Sequence, residues 1–189
     1  KNGADQIKFT ATAGVLSEEE SVGAPQYSLE EMKAIVEEAA MWGRKVAAHA
    51  HGTEGIKRAV QAGVASIDHG SLLDDEAISM MKQRGTFLVP TIYVGYSIEK
   101  FGKSWGLPAR LIEKARSLNV KKKESVQKAI AAGVKIAYGT DAGVFPHGQN
   151  AVDFKFLVEF GMTPMQAIQS ATTAAAELIG QSEHIGSLL

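Results

Sequence analysis

Four short apolar segments of this sequence contain, or lead into, a side chain that can bind a metal ion or transfer a proton. Lys8 lies in QIKFTA, His49 and His51 lie in AAHAHG, His69 lies in SIDHG, and Asp141 lies in YGTDAG. The chain has no cysteine, which excludes thiolate zinc sites and cysteine nucleophiles. Imidazole and oxygen donors without thiolate suit Zn²⁺, with Mn²⁺, Co²⁺ or Fe²⁺ as alternatives. The residue types therefore predict a divalent-metal site.

Each of these side chains also has a purely structural explanation. His49 and His51 are two residues apart, so a strand would point both to one side. They could be two ligands, one ligand with one substrate contact, or two buried histidines satisfied by hydrogen bonds. His69 could be a loop histidine, Asp141 a turn residue, and Lys8 a solvent-facing residue of an edge strand. Convergence of several strand ends on one face favours the functional interpretation, because parallel α/β folds carry their chemistry there.

The elements that would position these residues follow one repeated pattern. Four helical stretches each end at a glycine and lead into a short apolar run; they cover residues 29–42, 53–62, 74–84 and 108–132. With the opening segment, the pattern predicts five strands, near residues 6–11, 45–49, 65–68, 86–90 and 134–139. Two more helices are predicted near residues 150–160 and 163–179. Residues 12–27 and 92–107 are predicted to be long loops, and Lys121, Lys122 and Lys123 to lie on a solvated helix face.

Helices between consecutive short strands predict parallel pairing and an α/β fold. Two architectures are compatible with it, an open doubly wound sheet and a (β/α)8 barrel of the TIM type. No GxGxxG or GxxxxGK[ST] motif follows a strand, which weakens the nucleotide-binding version of the open sheet. A barrel needs eight strands and typically about 250 residues. The 189 residues with five predicted strands therefore indicate an incomplete barrel.

Composition excludes several other classes of protein. Hydrophobic residues make up 45% of the chain and charged residues 22%, which is typical of a folded globular domain. The formal net charge of -1 offers no basic field for nucleic acid or an anionic membrane. No apolar run is long enough to span a membrane, and the first ten residues lack the apolar core of a signal peptide. The default expectation for localisation is therefore the cytoplasm.

The ordered set IKF with Lys8, VAAHAHG, SIDHG and GTDAG resembles strands 4, 5, 6 and 8 of the metal-dependent amidohydrolase superfamily. The similarity is greatest to imidazolonepropionase-like and prolidase-like or carboxypeptidase-like members, and it covers nearly the whole chain. It implies that Lys8 is carboxylated and bridges two metals, that His49 and His69 are ligands, and that Asp141 binds metal and shuttles protons. His51 fits a contact with the substrate, or a position outside the metal ligands that supports them, better than a role as a metal ligand.

The resemblance also implies that this chain, residues 1–189, is one partial barrel from a larger enzyme. The strand 1 His-x-His pair, strands 1 to 3 and the β-sandwich of the superfamily have no counterpart here. We therefore expect at most one ion per chain, on His49 and His69, with Lys8 a free amine unless a second metal stabilises its carbamate. Exposed sheet edges would favour a homo-oligomer.

The predicted function is metal-dependent hydrolysis of amide bonds with Asp141 as acid and base. The expected substrate is a dipeptide or an N-acyl amino acid, contacted by His51, Tyr93 and His147. Two alternatives remain: a cyclic amide hydrolase of the imidazolonepropionase type, and a catalytically inert barrel fragment that self-associates.

Overall fold

The computed structural model describes residues 3–19 and 21–188, which form an α/β structure around one parallel sheet. Its four strands are adjacent in the order of the sequence: β1 (Gln6–Thr10), β2 (Lys45–Ala50), β3 (Ser66–His69) and β4 (Phe87–Val89). Every pairing is parallel. The first four predicted strands are thus confirmed to within two residues at each end.

Eight helices connect and follow the strands in the described residues. They are α1 (Leu29–Met41), α2 (Thr53–Ala62), α3 (Asp75–Arg84), α4 (Ile92–Phe101), α5 (Ala109–Ala132), α6 (Val152–Glu159), α7 (Pro164–Ala171) and α8 (Thr173–Ile179). α1 to α3 lie between consecutive strands, which provides the crossovers that parallel pairing needs. None of the helices described is both long and apolar enough to cross a membrane.

Local sequence explains where several of these helices begin and end. Ser28 and Thr163 each form a capping box with the residue three positions later, and Asp74 accepts a hydrogen bond from the Ala77 backbone N–H. Gly63 and Gly85 end α2 and α3 with φ of 99° and 69°, in the left-handed region that favours glycine. These signals act within a few residues, so the sequence alone shows them.

One face of the sheet packs on helices and forms the core. Ala48, Ile67 and Leu88 lie side by side on β2, β3 and β4 and are fully buried. Ile56 of α2 and Met81 of α3 belong to the same buried cluster. Because side chains alternate along a strand, the next residue of each strand faces the other way. That other face carries His49 and Asp68.

Four predictions about local structure are wrong. The run 134–139 forms no regular strand, because it pairs with β4 only through an isolated bridge between Leu88 and Ile136. Residues 92–107 are not a loop throughout, since α4 occupies Ile92–Phe101. The helix predicted at 163–179 is broken at Thr172, which separates α7 from α8. Lys122 is only 4% exposed and is not on a solvated face, because its ammonium group donates a hydrogen bond to the buried Thr91 carbonyl.

Candidate metal centre

Three imidazole rings meet at the carboxyl ends of β2 and β3. The ring centroids of His49 and His69 are 4.5 Å apart, and His51 lies 4.8 Å from each of them. One candidate ligand atom from each residue lies within 4.8 Å of the other two. Two imidazole nitrogens on one zinc ion are at most about 4 Å apart, so binding by all three rings would draw them slightly together.

Backbone geometry turns His69 toward the other two rings. In the pairing of β2 with β3, His49 lies beside Asp68 and Ala50 lies beside His69. A regular strand would therefore point His69 to the buried face that Ala50 and Ile67 occupy, away from His49. His69 instead has a φ of 75°, which is uncommon for any residue except glycine. This local departure from strand geometry brings its ring into the cluster.

Hydrogen bonds to Nδ1 orient two of the rings. Nδ1 of His51 lies 2.8 Å from the Ser71 hydroxyl, and Nδ1 of His69 lies 2.6 Å from the Thr91 hydroxyl. Metal-binding histidines typically use one ring nitrogen for the metal and give the other to such a partner. Both rings therefore keep Nε2 for a ligand.

His49 provides the clearest sign that a group belongs at the centre of the cluster. Its Nε2 is buried and has no hydrogen-bond partner among residues 3–19 and 21–188. A buried polar atom without a partner is costly, so such an atom needs an explanation. An ion bound at Nε2 would supply one.

Electrostatics keeps all three rings neutral, which is the form that binds a metal. Burial lowers the pKa of His49, His51 and His69, and for His51 and His69 the pKa lies well below the usual value. The positive charges of Lys8, near His49, and Lys122, near His51, lower it further. The donor set and its protonation thus fit a divalent ion such as Zn²⁺.

Asp141 lies at the wall of the cavity that the three histidines also line. It has a φ of 58°, so the backbone turns sharply where the run 134–139 ends. Although the residue keeps solvent contact, burial of its carboxyl group raises its pKa, and the positive charges of Lys8 and Lys122 oppose that rise.

Lys8 carries an ammonium group that pairs with the Asp68 carboxylate at 2.7 Å. The Lys8 side chain is 47% exposed, whereas that of Asp68 is 12% exposed. Both residues lie on the sheet face that carries His49. Lys8 therefore lies on the same face of the sheet as the histidine cluster, next to Asp68.

Two of the predicted substrate contacts lie apart from the three histidines. The Tyr93 hydroxyl donates to Gln149 at 2.6 Å, and its ring packs on Phe145 with centroids 4.8 Å apart. His147 is exposed in the segment after Asp141. Among the described residues, neither Tyr93 nor His147 lines the cavity beside the histidines.

That cavity has a volume of about 260 Å³ and runs from the histidines toward α4 and α5. Its wall beyond the histidines has seven apolar side chains, those of Val15, Leu16, Val94, Ile98, Ala115, Leu118 and Val144. The polar residues of the wall are Thr10, Ser17, Ser71, Asn119, Lys122 and Asp141. Such a wall suits an apolar substrate group held next to polar chemistry.

Sequence analysis missed three residues that contact this site. Ser71 and Thr91 hold His51 and His69, and Lys122 reaches Thr91 from α5. Thr91 follows β4 almost directly, so its place after a strand end was a usable signal. Ser71 lies two residues after His69 in a turn, and no sequence feature distinguishes it from other turn residues.

The family model described as the amidohydrolase family matches residues 1–189. The chain belongs to the amidohydrolase family. It is 41% identical to ochratoxinase of Aspergillus niger over 183 residues, which are 95% of this chain and 37% of that protein. A solved structure of a Xaa-Pro dipeptidase with methionine bound in its active site matches at 47% identity with a TM-score of 0.92, covering 98% of this chain and 46% of that one.

A prolidase complexed with N-methylphosphonate-L-proline matches at 35% identity with a TM-score of 0.91, over 99% of this chain and 46% of the other. The chain thus spans less than half the length of the relatives described here. The predicted α/β fold, an incomplete (β/α)8 barrel of the amidohydrolase type, is confirmed by these matches.

Proposed function

We propose that this chain carries part of the active site of a metal-dependent hydrolase that cleaves dipeptides or N-acyl amino acids. The observation that supports the proposal is the convergence of three imidazoles, whose pKa values burial lowers, at a cavity that Asp141 also lines. The names of the relatives, ochratoxinase, Xaa-Pro dipeptidase and prolidase, agree with amide and peptide substrates.

His49 and His69 are the proposed metal ligands, and His51 is proposed to contact the substrate or to support the ligands from outside. The chemistry that a divalent ion supplies at such a site is polarisation of the amide carbonyl and activation of water. The proposed ion is Zn²⁺, because the set has two or three imidazoles and no thiolate. Burial lowers the pKa of His49 and His69. Both rings therefore favour the neutral form, in which one ring nitrogen keeps a lone pair that can bind a metal.

Asp141 is the proposed acid and base. Its carboxylate accepts a proton from the attacking water and donates it to the nitrogen of the leaving amine. Burial raises the pKa of this carboxyl group, which makes it a better proton acceptor than an ordinary aspartate. The positive charges of Lys8 and Lys122 oppose that rise in the pKa.

Lys8 has two proposed states. As an amine it pairs with the carboxylate of Asp68. Carboxylation of the amine, which the family resemblance implies, would replace its positive charge with a negative one and break that ion pair. The carbamate therefore requires compensating positive charge from metal, and without a second ion Lys8 stays an amine.

The apolar cavity favours a substrate with an apolar side chain. The cations that influence the histidines, Lys122 and Lys114, would repel a lysine or arginine side chain entering there. Among N-acyl amino acids and Xaa-Pro dipeptides, apolar substrates should therefore be hydrolysed faster than cationic ones.

Self-association of the chain and a cytoplasmic location stay predictions. Light scattering tests the self-association.

The experiment uses the longest expressed product that contains these residues, stripped of metal and reloaded with Zn²⁺. His49→Ala and His69→Ala should each lose bound zinc, whereas His184→Ala, at an exposed histidine, should keep it. Asp141→Asn should keep zinc and lose at least about 100-fold in kcat on the best substrate of the panel, as expected for loss of a general acid–base group. Zinc retention by both ligand variants, or full activity of Asp141→Asn, would refute the assignment.

A further inference from the structure

Thr91, directly behind the histidine cluster, has an unusual backbone. It follows β4 and precedes α4, with φ of 44° and ψ of 57°. A β-branched residue in this left-handed region is a rare conformation with a free-energy cost, and it persists only where surrounding contacts impose it. The contacts that impose it here come from two distant helices.

Two buried side chains of opposite charge hold the chain on either side of this position. The Lys122 ammonium group, on α5, donates to the Thr91 carbonyl at 2.8 Å and to its hydroxyl at 3.3 Å. The Asp153 carboxylate, on α6, accepts from the backbone N–H groups of Ile92 and Tyr93 at 2.7 and 2.9 Å. We call Thr91, Lys122 and Asp153 the Thr91 brace.

The brace ends at His69. The Thr91 hydroxyl lies 2.6 Å from Nδ1 of His69, and both residues are nearly fully buried. In the tautomer protonated at Nδ1, the ring donates to the Thr91 oxygen, whose second lone pair accepts from the Lys122 ammonium group. That arrangement leaves Nε2 of His69 unprotonated and facing the other two imidazoles.

A buried ammonium group is expensive, so its contacts indicate its role. Lys122 is 4% exposed, and within the described part of the chain its ammonium group donates hydrogen bonds to Thr91, at both the carbonyl and the hydroxyl oxygen. A methionine of similar length would fill the same space without the cost of burying a charge. Methionine, however, has no N–H group that could donate hydrogen bonds to the carbonyl and the hydroxyl of Thr91.

We propose that Lys122 is a positioning residue that acts through Thr91 to fix the ring and tautomer of His69, so that Nε2 is ready to bind a divalent cation. The cation part rests on the function proposed above. The ring order of His69 does not, because it depends only on the hydrogen bonds that join Lys122, Thr91 and His69.

The test compares Lys122→Met with Lys121→Met. The two variants lose the same charge at neighbouring positions of α5, but Lys121 is exposed and does not contact Thr91. Zinc affinity is measured by competition with a chromophoric chelator. Loss of the buried Lys122 charge by itself would favour a bound cation, because Lys122 acts on the histidines through its positive charge. We nevertheless expect Lys122→Met to bind Zn²⁺ about 10-fold more weakly, within the range typical of residues that support metal ligands, because loss of positioning outweighs that gain, and Lys121→Met to bind as the wild type does.

A second pair of variants tests the connecting hydroxyl. Thr91→Val keeps the shape and removes the oxygen, and it should weaken zinc binding by about 10- to 100-fold. Thr91→Ser keeps the oxygen and should restore most of the affinity. If Lys122→Met fails to fold, the comparison of Thr91→Val with Thr91→Ser still tests whether the Thr91 hydroxyl supports zinc binding by His69.

The readout that separates positioning from simple stability is ¹⁵N NMR of the histidine rings in metal-free protein. We expect one His69 tautomer, protonated at Nδ1, in the wild type and in Lys121→Met, and a mixture in Lys122→Met and Thr91→Val. Equal zinc affinity and equal His69 spectra in Lys122→Met and Lys121→Met would overturn the proposal. So would an effect of Lys122→Met confined to the KM of a substrate, which would make Lys122 a substrate contact.

The two proposals fail separately. A wild-type protein that binds no zinc at the histidines would refute the proposed function, while the spectra of His69 would still test the brace. Normal zinc binding with an unchanged His69 tautomer in Thr91→Val would refute the brace alone.

Discussion

Asp153 should make the stability of this protein depend on pH in an unusual direction. Burial raises the pKa of its carboxyl group from 3.8 to about 6, against the hydrogen bonds from Tyr93 and Ile92 and the charge of Lys122, which lower it. The folded protein therefore binds this proton more tightly than the unfolded chain does. The stabilising contribution of Asp153 is complete below about pH 4 and is lost as the pH rises through about 6.

The size of the effect follows from the two pKa values. A difference of about two units corresponds to about 3 kcal/mol of unfolding free energy between pH 4 and pH 7. Asp153→Asn removes the charge but keeps an oxygen that can accept from the Ile92 and Tyr93 N–H groups. Asp153→Ala also removes the charge but leaves both buried N–H groups without an acceptor, at a cost of about 1–3 kcal/mol each.

Urea unfolding at a series of pH values from 4 to 7 measures both variants against the wild type. We expect Asp153→Asn to gain up to about 3 kcal/mol relative to the wild type as the pH rises across this range. Asp153→Ala should show the same pH dependence, displaced downward by about 2–6 kcal/mol at every pH. A difference between wild type and Asp153→Asn that stays constant with pH, or equal stability of the Asn and Ala variants, would refute this reasoning.

Two further substitutions test the packing around the site. Ala115→Phe should fill the apolar cavity and lower kcat/KM for bulky apolar substrates more than for glycine-containing ones. Ala131→Phe, about 24 Å further along the same helix, is the control and should not change this ratio. An equal loss of kcat/KM on both substrate sizes in Ala115→Phe would contradict this prediction. Gly55→Ala should destabilise the protein by about 1–3 kcal/mol in urea unfolding despite the better helix propensity of alanine, because the new Cβ would lie 2.3 Å from Cγ2 of Thr12. A stabilised Gly55→Ala variant would show that Thr12 moves aside freely.

The sequence by itself determined the repeated strand–helix order and the parallel sheet. Apolar runs, helix caps and glycines after helices act within a few residues, so they can be read without the rest of the chain. Lys8, His49, His69 and Asp141 are candidates for the same reason, because each lies in or follows a short apolar segment of the sequence. Parallel topology places Lys8 and His49 on one face of the sheet, whereas His69 reaches the cluster only through its left-handed backbone.

Tertiary structure decided what the local sequence could not show. α4 begins where a carboxylate 61 residues away accepts the N–H of Ile92, so no signal near residue 92 announced the helix. His69 joins the cluster through a left-handed backbone, and Lys122, between two exposed lysines, points into the interior because Thr91 lies there. Hydrogen bonds between residues distant in the chain fix these features, and their energies depend on burial that only the folded chain creates.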